Sequence, residues 1–88
     1  MDVAERLRQY LAAELRVPDS ARLELDVPLV RGGLVDSLGL MQIVEFVETE
    51  YGIVVDETEL VPRNFRDLGS IADFVERKRR TASAVGES

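Results

Sequence analysis

Cysteine and histidine are both missing from this 88-residue chain, and those two absences remove more chemistry than any motif supplies. Without cysteine there is no disulfide, no zinc-thiolate site and no thiol nucleophile. Without histidine there is neither the usual general base nor the commonest metal ligand. A Ser-His-Asp triad within the chain is therefore excluded. The G-x-S-x-G nucleophile elbow also fails at Ser37, because Val35 stands where its first glycine would be. No apolar run approaches the roughly 20 residues that span a bilayer. The N-terminal MDVAERLRQY lacks the basic start and apolar block of a signal peptide, so the expected location is cytoplasmic, with no membrane partner.

What is present describes one small soluble domain. A chain this short buries only about 60 to 65% of the surface it exposes when unfolded, so the core is small. Hydrophobic residues at 45% against charged residues at 32% separate it from disordered sequences. A net charge of -6 disfavours nucleic acid and favours partners with basic patches, whose encounter it speeds.

Asp2 followed by Glu5 has the spacing of a capping box for a first helix. Val3, Leu7, Tyr10, Leu11 and Leu15 form its apolar stripe, with Arg6, Arg8 and Glu14 outside. Pro18 predicts a stop near Arg16, because the residue before proline disfavours helical backbone. From Pro18 to Val35 the chain reads as a long loop. Leu23, Leu25, Val27 and Leu29 alternate as in a half-buried strand, and Ile53-Val54-Val55 is the only run with which they could pair. Two such strands make a marginal sheet, so an extended loop that plugs a helical bundle is preferred.

Further on, Gly52 suits a left-handed helix cap. Asp56-Glu57-Thr58-Glu59 lacks the D-x-D-x-D-G spacing of a calcium loop and reads as a solvated acidic turn; no metal site is expected. Pro62 opens a short third helix to about Leu68, with Phe65 and Leu68 inward. Gly69 breaks it, and Ser70, with Asp73 at the capping-box position, starts a fourth helix that buries Ile71, Phe74 and Val75. Arg77-Lys78-Arg79-Arg80 closes that helix at the negative end of its dipole. The expected domain covers residues 1–80, with residues 81–88 a flexible tail.

The centre of the chain is the run Gly32 to Tyr51. A paired glycine turn leads into Val35-Asp36-Ser37-Leu38 and a strongly periodic segment, which puts Ser37 at the mouth of a helix with its hydroxyl toward water. Asp36 is a helix cap. Leu40, Ile43, Val44, Val47 and Tyr51 make the core face. Leu38, Met41, Glu45 and Glu48 fall on a separate stripe, either ordinary surface or a docking face. Phe46 projects to the flank of the core face.

Leu34-Val35-Asp36-Ser37-Leu38, followed by an acidic amphipathic helix, resembles the phosphopantetheine attachment site of acyl carrier proteins and peptidyl carrier domains. The likeness runs from about Val3 to Arg80 and includes Glu59-Leu60-Val61-Pro62-Arg63-Asn64-Phe65 and Ser70-Ile71-Ala72-Asp73-Phe74-Val75. It implies an all-α four-helix bundle of acyl-carrier type, with a long first loop and a short third helix. It also implies a free-standing, monomeric, non-catalytic carrier. Ser37 would take 4'-phosphopantetheine from coenzyme A, and the arm would hold acyl, aminoacyl or peptidyl thioesters. The implied partners are a phosphopantetheinyl transferase that reads Asp36, a loading enzyme (acyltransferase, ligase or adenylating enzyme), and a downstream synthase or transferase. These would dock on Leu38, Met41, Glu45 and Glu48. The form ELVPRNF...SIADFV is similar to carriers of polyketide, nonribosomal peptide and related specialised pathways, while Arg63 stands where relatives frequently carry an acidic residue. The rival reading is an armless adaptor that binds a partner through the second helix alone.

Overall fold

The computed structural model describes residues 2–86, with side-chain surroundings through residue 81. Four helices follow in order: α1 (Val3–Ala13), α2 (Ser37–Tyr51), α3 (Pro62–Phe65) and α4 (Leu68–Gly86), with single 3-10 turns at Ser20–Arg22 and Glu57–Glu59. There is no strand among the described residues. The architecture is the expected all-α four-helix arrangement, with a long first loop and a short third helix.

α4 is the element on which α1, α2 and α3 all pack. The core joins Leu7 and Leu11 of α1, Ile43, Val44 and Val47 of α2, Phe65 of α3 and Leu68, Ile71, Phe74 and Val75 of α4. Phe65 and Phe74 meet ring to ring at 5.2 Å, within the range in which aromatic pairs add to plain burial. On α1, Asp2 Oδ1 accepts the Glu5 N–H at 2.8 Å, one half of the expected capping box, while the Glu5 carboxylate pairs with Arg8 instead of returning to Asp2. α2 ends in Gly52 at φ 64, the left-handed cap that glycine adopts without steric cost.

The long loop is held by its backbone as well as by the side chains it buries. Leu29 alone of the alternating set is fully buried; Leu23 and Val27 are half-buried and Leu25 is 49% exposed. The Leu29 N–H donates to Arg66 O, the Gly69 N–H to Leu25 O and Arg8 Nε to Leu23 O. These bonds tie three points of the loop to α1 and to the α3–α4 junction. Arg8, expected to lie outside, is thus part of the loop's anchorage.

Other expected boundaries are corrected. α1 stops at Ala13, because the chain turns through Arg16 at φ 53 and the Val17 N–H returns to Leu11 O at 2.9 Å. α3 ends at Phe65. α4 starts at Leu68 rather than Ser70: the cap is Asp67, whose Oδ1 accepts the Ser70 N–H at 2.7 Å. Gly69 lies inside the first turn instead of breaking the helix, in a space where a Cβ would come 3.3 Å from Leu25 O. α4 also continues past Arg80 to Gly86, so the basic tetrad sits within the helix and not at its negative end. Lys78 pairs with Glu59 at 3.1 Å and the Arg79 guanidinium lies 5.2 Å over the Tyr51 ring, so two of its cations brace α4 against its neighbours. Of the expected tail, residues 81–86 are helical, and residues 87–88 lie outside the described residues.

Candidate functional site

The approach to α2 is a tight turn anchored on buried Leu29. Gly32 N–H donates to Pro28 O, Gly33 N–H to Val30 O, and both Leu34 and Val35 N–H to Leu29 O. A Cβ on Gly32 would come within 2.3 Å of Pro28 O, and Gly33 stands at φ 77. Each glycine therefore has its own reason: one for close approach of backbone, one for left-handed conformation. Val35 is buried just before the helix, so the turn is pulled inward and the next two residues are left outside.

Those two residues are Asp36 and Ser37, both exposed. Asp36 is the N-cap of α2, its Oδ1 accepting the Gly39 N–H at 2.7 Å. Ser37 is the first residue of this 15-residue helix. Backbone N–H groups in the first turn of a helix have no intrahelical partner, and the aligned peptide dipoles make that end electropositive. A serine there presents its hydroxyl where an attached phosphate would be favourably placed.

The four residues of the expected docking stripe separate into different settings. Leu38 is 70% exposed and Met41 46% exposed, while Glu45 faces solvent. Glu48 is half-buried, and its Oε2 accepts the Val55 N–H at 2.8 Å, so it also holds the chain that leaves α2. Phe46 stacks on Tyr10 with ring centroids 4.3 Å apart, under the Arg6 guanidinium at 5.5 Å. It fills the seam between α1 and α2, and burial with nearby Glu14 and Glu45 raises the Tyr10 phenol above its ordinary range.

A groove of about 680 Å³ opens beside Ser37. α2 contributes Ser37, Leu40, Met41 and Val44; the loop contributes Pro28, Val30 and Arg31; the segment around α3 contributes Leu60, Val61, Pro62, Arg63, Phe65 and Arg66. Its size and largely apolar lining with a few charged groups are those of a small-molecule site. Sequence reasoning found Ser37, Met41 and Arg63, but not the groove that joins them. Arg31, Leu60 and Arg66 carry no periodic signal, since they lie in a loop, a turn and the end of a one-turn helix. The buried Gly39 was likewise missed; a Cβ there would be 3.2 Å from Val35 Cβ, so its small size lets α2 begin directly against the turn.

Away from the groove, the acidic cluster closes on itself. Asp56 and Glu59 form a reciprocal cap around the Glu57–Glu59 turn. The Asp56 N–H, followed by Lys78, holds the Glu59 carboxyl below its ordinary range against an opposing effect of burial.

No curated protein matches the chain. The family model for the phosphopantetheine attachment site matches residues 5–76, which takes in the glycine turn, the whole of α2 and α3, and the groove between them. The chain belongs to that family, the acyl and peptidyl carrier proteins, which bear a covalently bound 4'-phosphopantetheine.

Proposed function

We propose that Ser37 is the residue that bears the arm. Three serines fall within the family match: Ser20, Ser37 and Ser70. Ser20 is buried and Ser70 is half-buried in the first turn of α4, whereas Ser37 is exposed at the open start of α2. That contrast carries the assignment. The Ser37 hydroxyl would displace adenosine 3',5'-bisphosphate from coenzyme A, forming a phosphodiester to 4'-phosphopantetheine, and the serine proton would pass to a base supplied by the transferase. The lack of histidine in this chain is then no obstacle. The arm supplies a terminal thiol on which acyl, aminoacyl or peptidyl groups travel as thioesters, and the cysteine-free chain has no competing thiol.

The chain itself is a non-catalytic substrate of its partners. Asp36, Leu38, Met41, Glu45 and Glu48 are the docking residues: two apolar anchors stand among carboxylates that attract basic surfaces and orient them. A loading enzyme and a downstream synthase or transferase of specialised biosynthesis would visit this face in turn. The test is intact-protein mass after incubation with coenzyme A, magnesium and a broad-specificity phosphopantetheinyl transferase. One phosphopantetheine is gained by the native chain and none by Ser37→Ala. Retained gain in the variant would move the site; no gain by the folded native chain with several transferases would favour the armless adaptor.

A further inference from the structure

The chain is acidic, with 17 Asp and Glu against 11 Lys and Arg, and has no cation between Gly32 and Pro62. Yet the groove beside Ser37 is lined by three arginines and by no carboxylate: Arg31 comes from the loop, and Arg63 and Arg66 from α3 and its end. Their convergence is built into the fold, because the Leu29 N–H bonds to Arg66 O at 2.9 Å and so fastens the loop two residues before Arg31 to the end of α3. Arg66 already pairs with Asp67 at 3.2 Å, whereas Arg31 and Arg63 have no ion-pair partner among the described residues.

Exposed arginines are ordinary where they stand on an open surface. Here, though exposed, they share the lining of one groove with Leu40, Met41, Val44 and Phe65. An apolar wall lowers the local dielectric and strengthens a charge contact beside it. Guanidinium is always charged and presents a planar fork that matches a carboxylate. A neutral chain in this groove would meet only the apolar floor, an ammonium-bearing cargo would be repelled, and a carboxylate-bearing chain would satisfy floor and rim together.

Resting on the attachment of the arm at Ser37, we propose that this groove receives the arm's cargo and selects acyl units that carry a free carboxylate. The arginines then set cargo preference, while the acidic face of α2 remains for protein partners.

The test compares three forms of the native chain made with the transferase from coenzyme A and its non-hydrolysable conjugates. These carry the bare arm, an octanoyl chain, or the eight-carbon chain ending in a carboxylate. Intact mass verifies complete loading. The acidic cargo is expected to raise Tm by about 2–4 °C over its neutral twin and to shift the Arg31 and Arg63 side-chain N–H resonances. High salt should reduce the rise, and Arg31→Gln/Arg63→Gln should remove it while loading stays complete. Equal behaviour of the two fully loaded cargoes would overturn the proposal and leave the arginines to an acidic protein partner. The same arginine shifts with the bare arm would assign them to its phosphodiester, which also overturns it. Failure to load at all is a different result, read directly by mass: the Ser37 assignment would fall and this inference with it.

Discussion

α2 and α4 begin with the same device and use it differently. In each an aspartate caps the helix and its Oδ1 accepts the N–H three residues on at 2.7 Å, Asp36 from Gly39 and Asp67 from Ser70. A glycine lies in each first turn, where a Cβ would crowd its neighbour: Gly39 on Val35 and Gly69 on Leu25. The residue after the cap makes the difference. At α4 it is Leu68, fully buried, with Asp67 only 5% exposed; at α2 it is Ser37, in solvent beside Asp36. A helix N-terminus thus offers the same backbone N–H groups in both places, and burial of one neighbouring side chain decides whether anything outside can reach them.

The sharpest way to break the comparison is to remove each first residue. Ser37→Ala should abolish arm attachment while leaving Tm within about 1 °C, as expected of an exposed substitution. Leu68→Ala should leave attachment intact in the folded fraction and cost about 2–5 kcal/mol, seen as a Tm lower by roughly 8 °C or more. If Leu68→Ala also prevented loading of folded protein, the two termini would not be separable into a chemical end and a structural one.

Smaller effects come from the caps. Asp36→Ala should cost about 1 kcal/mol and Asp67→Ala about 2 kcal/mol, because Asp67 is itself buried and also pairs with Arg66, whereas Asp36 is exposed. Urea denaturation of the two variants measures the gap, and equal losses would mean that burial adds nothing to the cap.

The smallest effect is one of pH. At Asp67 burial opposes ionisation, but the Ser70 N–H and hydroxyl, with Arg66, outweigh it and hold the carboxyl below its ordinary range. A carboxyl lowered in the folded state contributes stability that is fully present above its unfolded value of about 4. That contribution is lost as pH falls from there through the folded value. Asp67→Asn retains a good cap without this titration, so its Tm should fall less steeply than the native chain's below about pH 4. Parallel curves would show that Asp67 acts by geometry alone.

The two helix starts also show where the sequence could be read and where it could not. Asp36 was legible as a cap because a glycine turn precedes it and a long periodic segment follows. Asp67 was not, because Ser70 with Asp73 has the same local pattern as a cap and Gly69 looks like a break. Local pattern cannot choose between two caps three residues apart; the loop does, by bringing Leu25 O onto the Gly69 N–H and leaving only a tight fit for a Cβ there. The alternation of Leu23, Leu25, Val27 and Leu29 misled in a similar way. It describes side chains, whereas the loop is also fastened by carbonyls and N–H groups, which every residue type supplies.

By itself the sequence determined the all-α class, the core faces of α1 and α2, the left-handed cap at Gly52 and the serine at the start of α2. All of these follow from helical period and from residue types with strong local preferences. Only tertiary structure decided that Phe46 stacks on Tyr10, that Glu48 also holds Val55, and that Arg31, Arg63 and Arg66 meet over one apolar groove. Those outcomes join residues far apart in the chain, and their physical cause is the packing of α1, α2 and α3 on α4 together with the backbone bonds of the long loop. No spacing within a single segment encodes them.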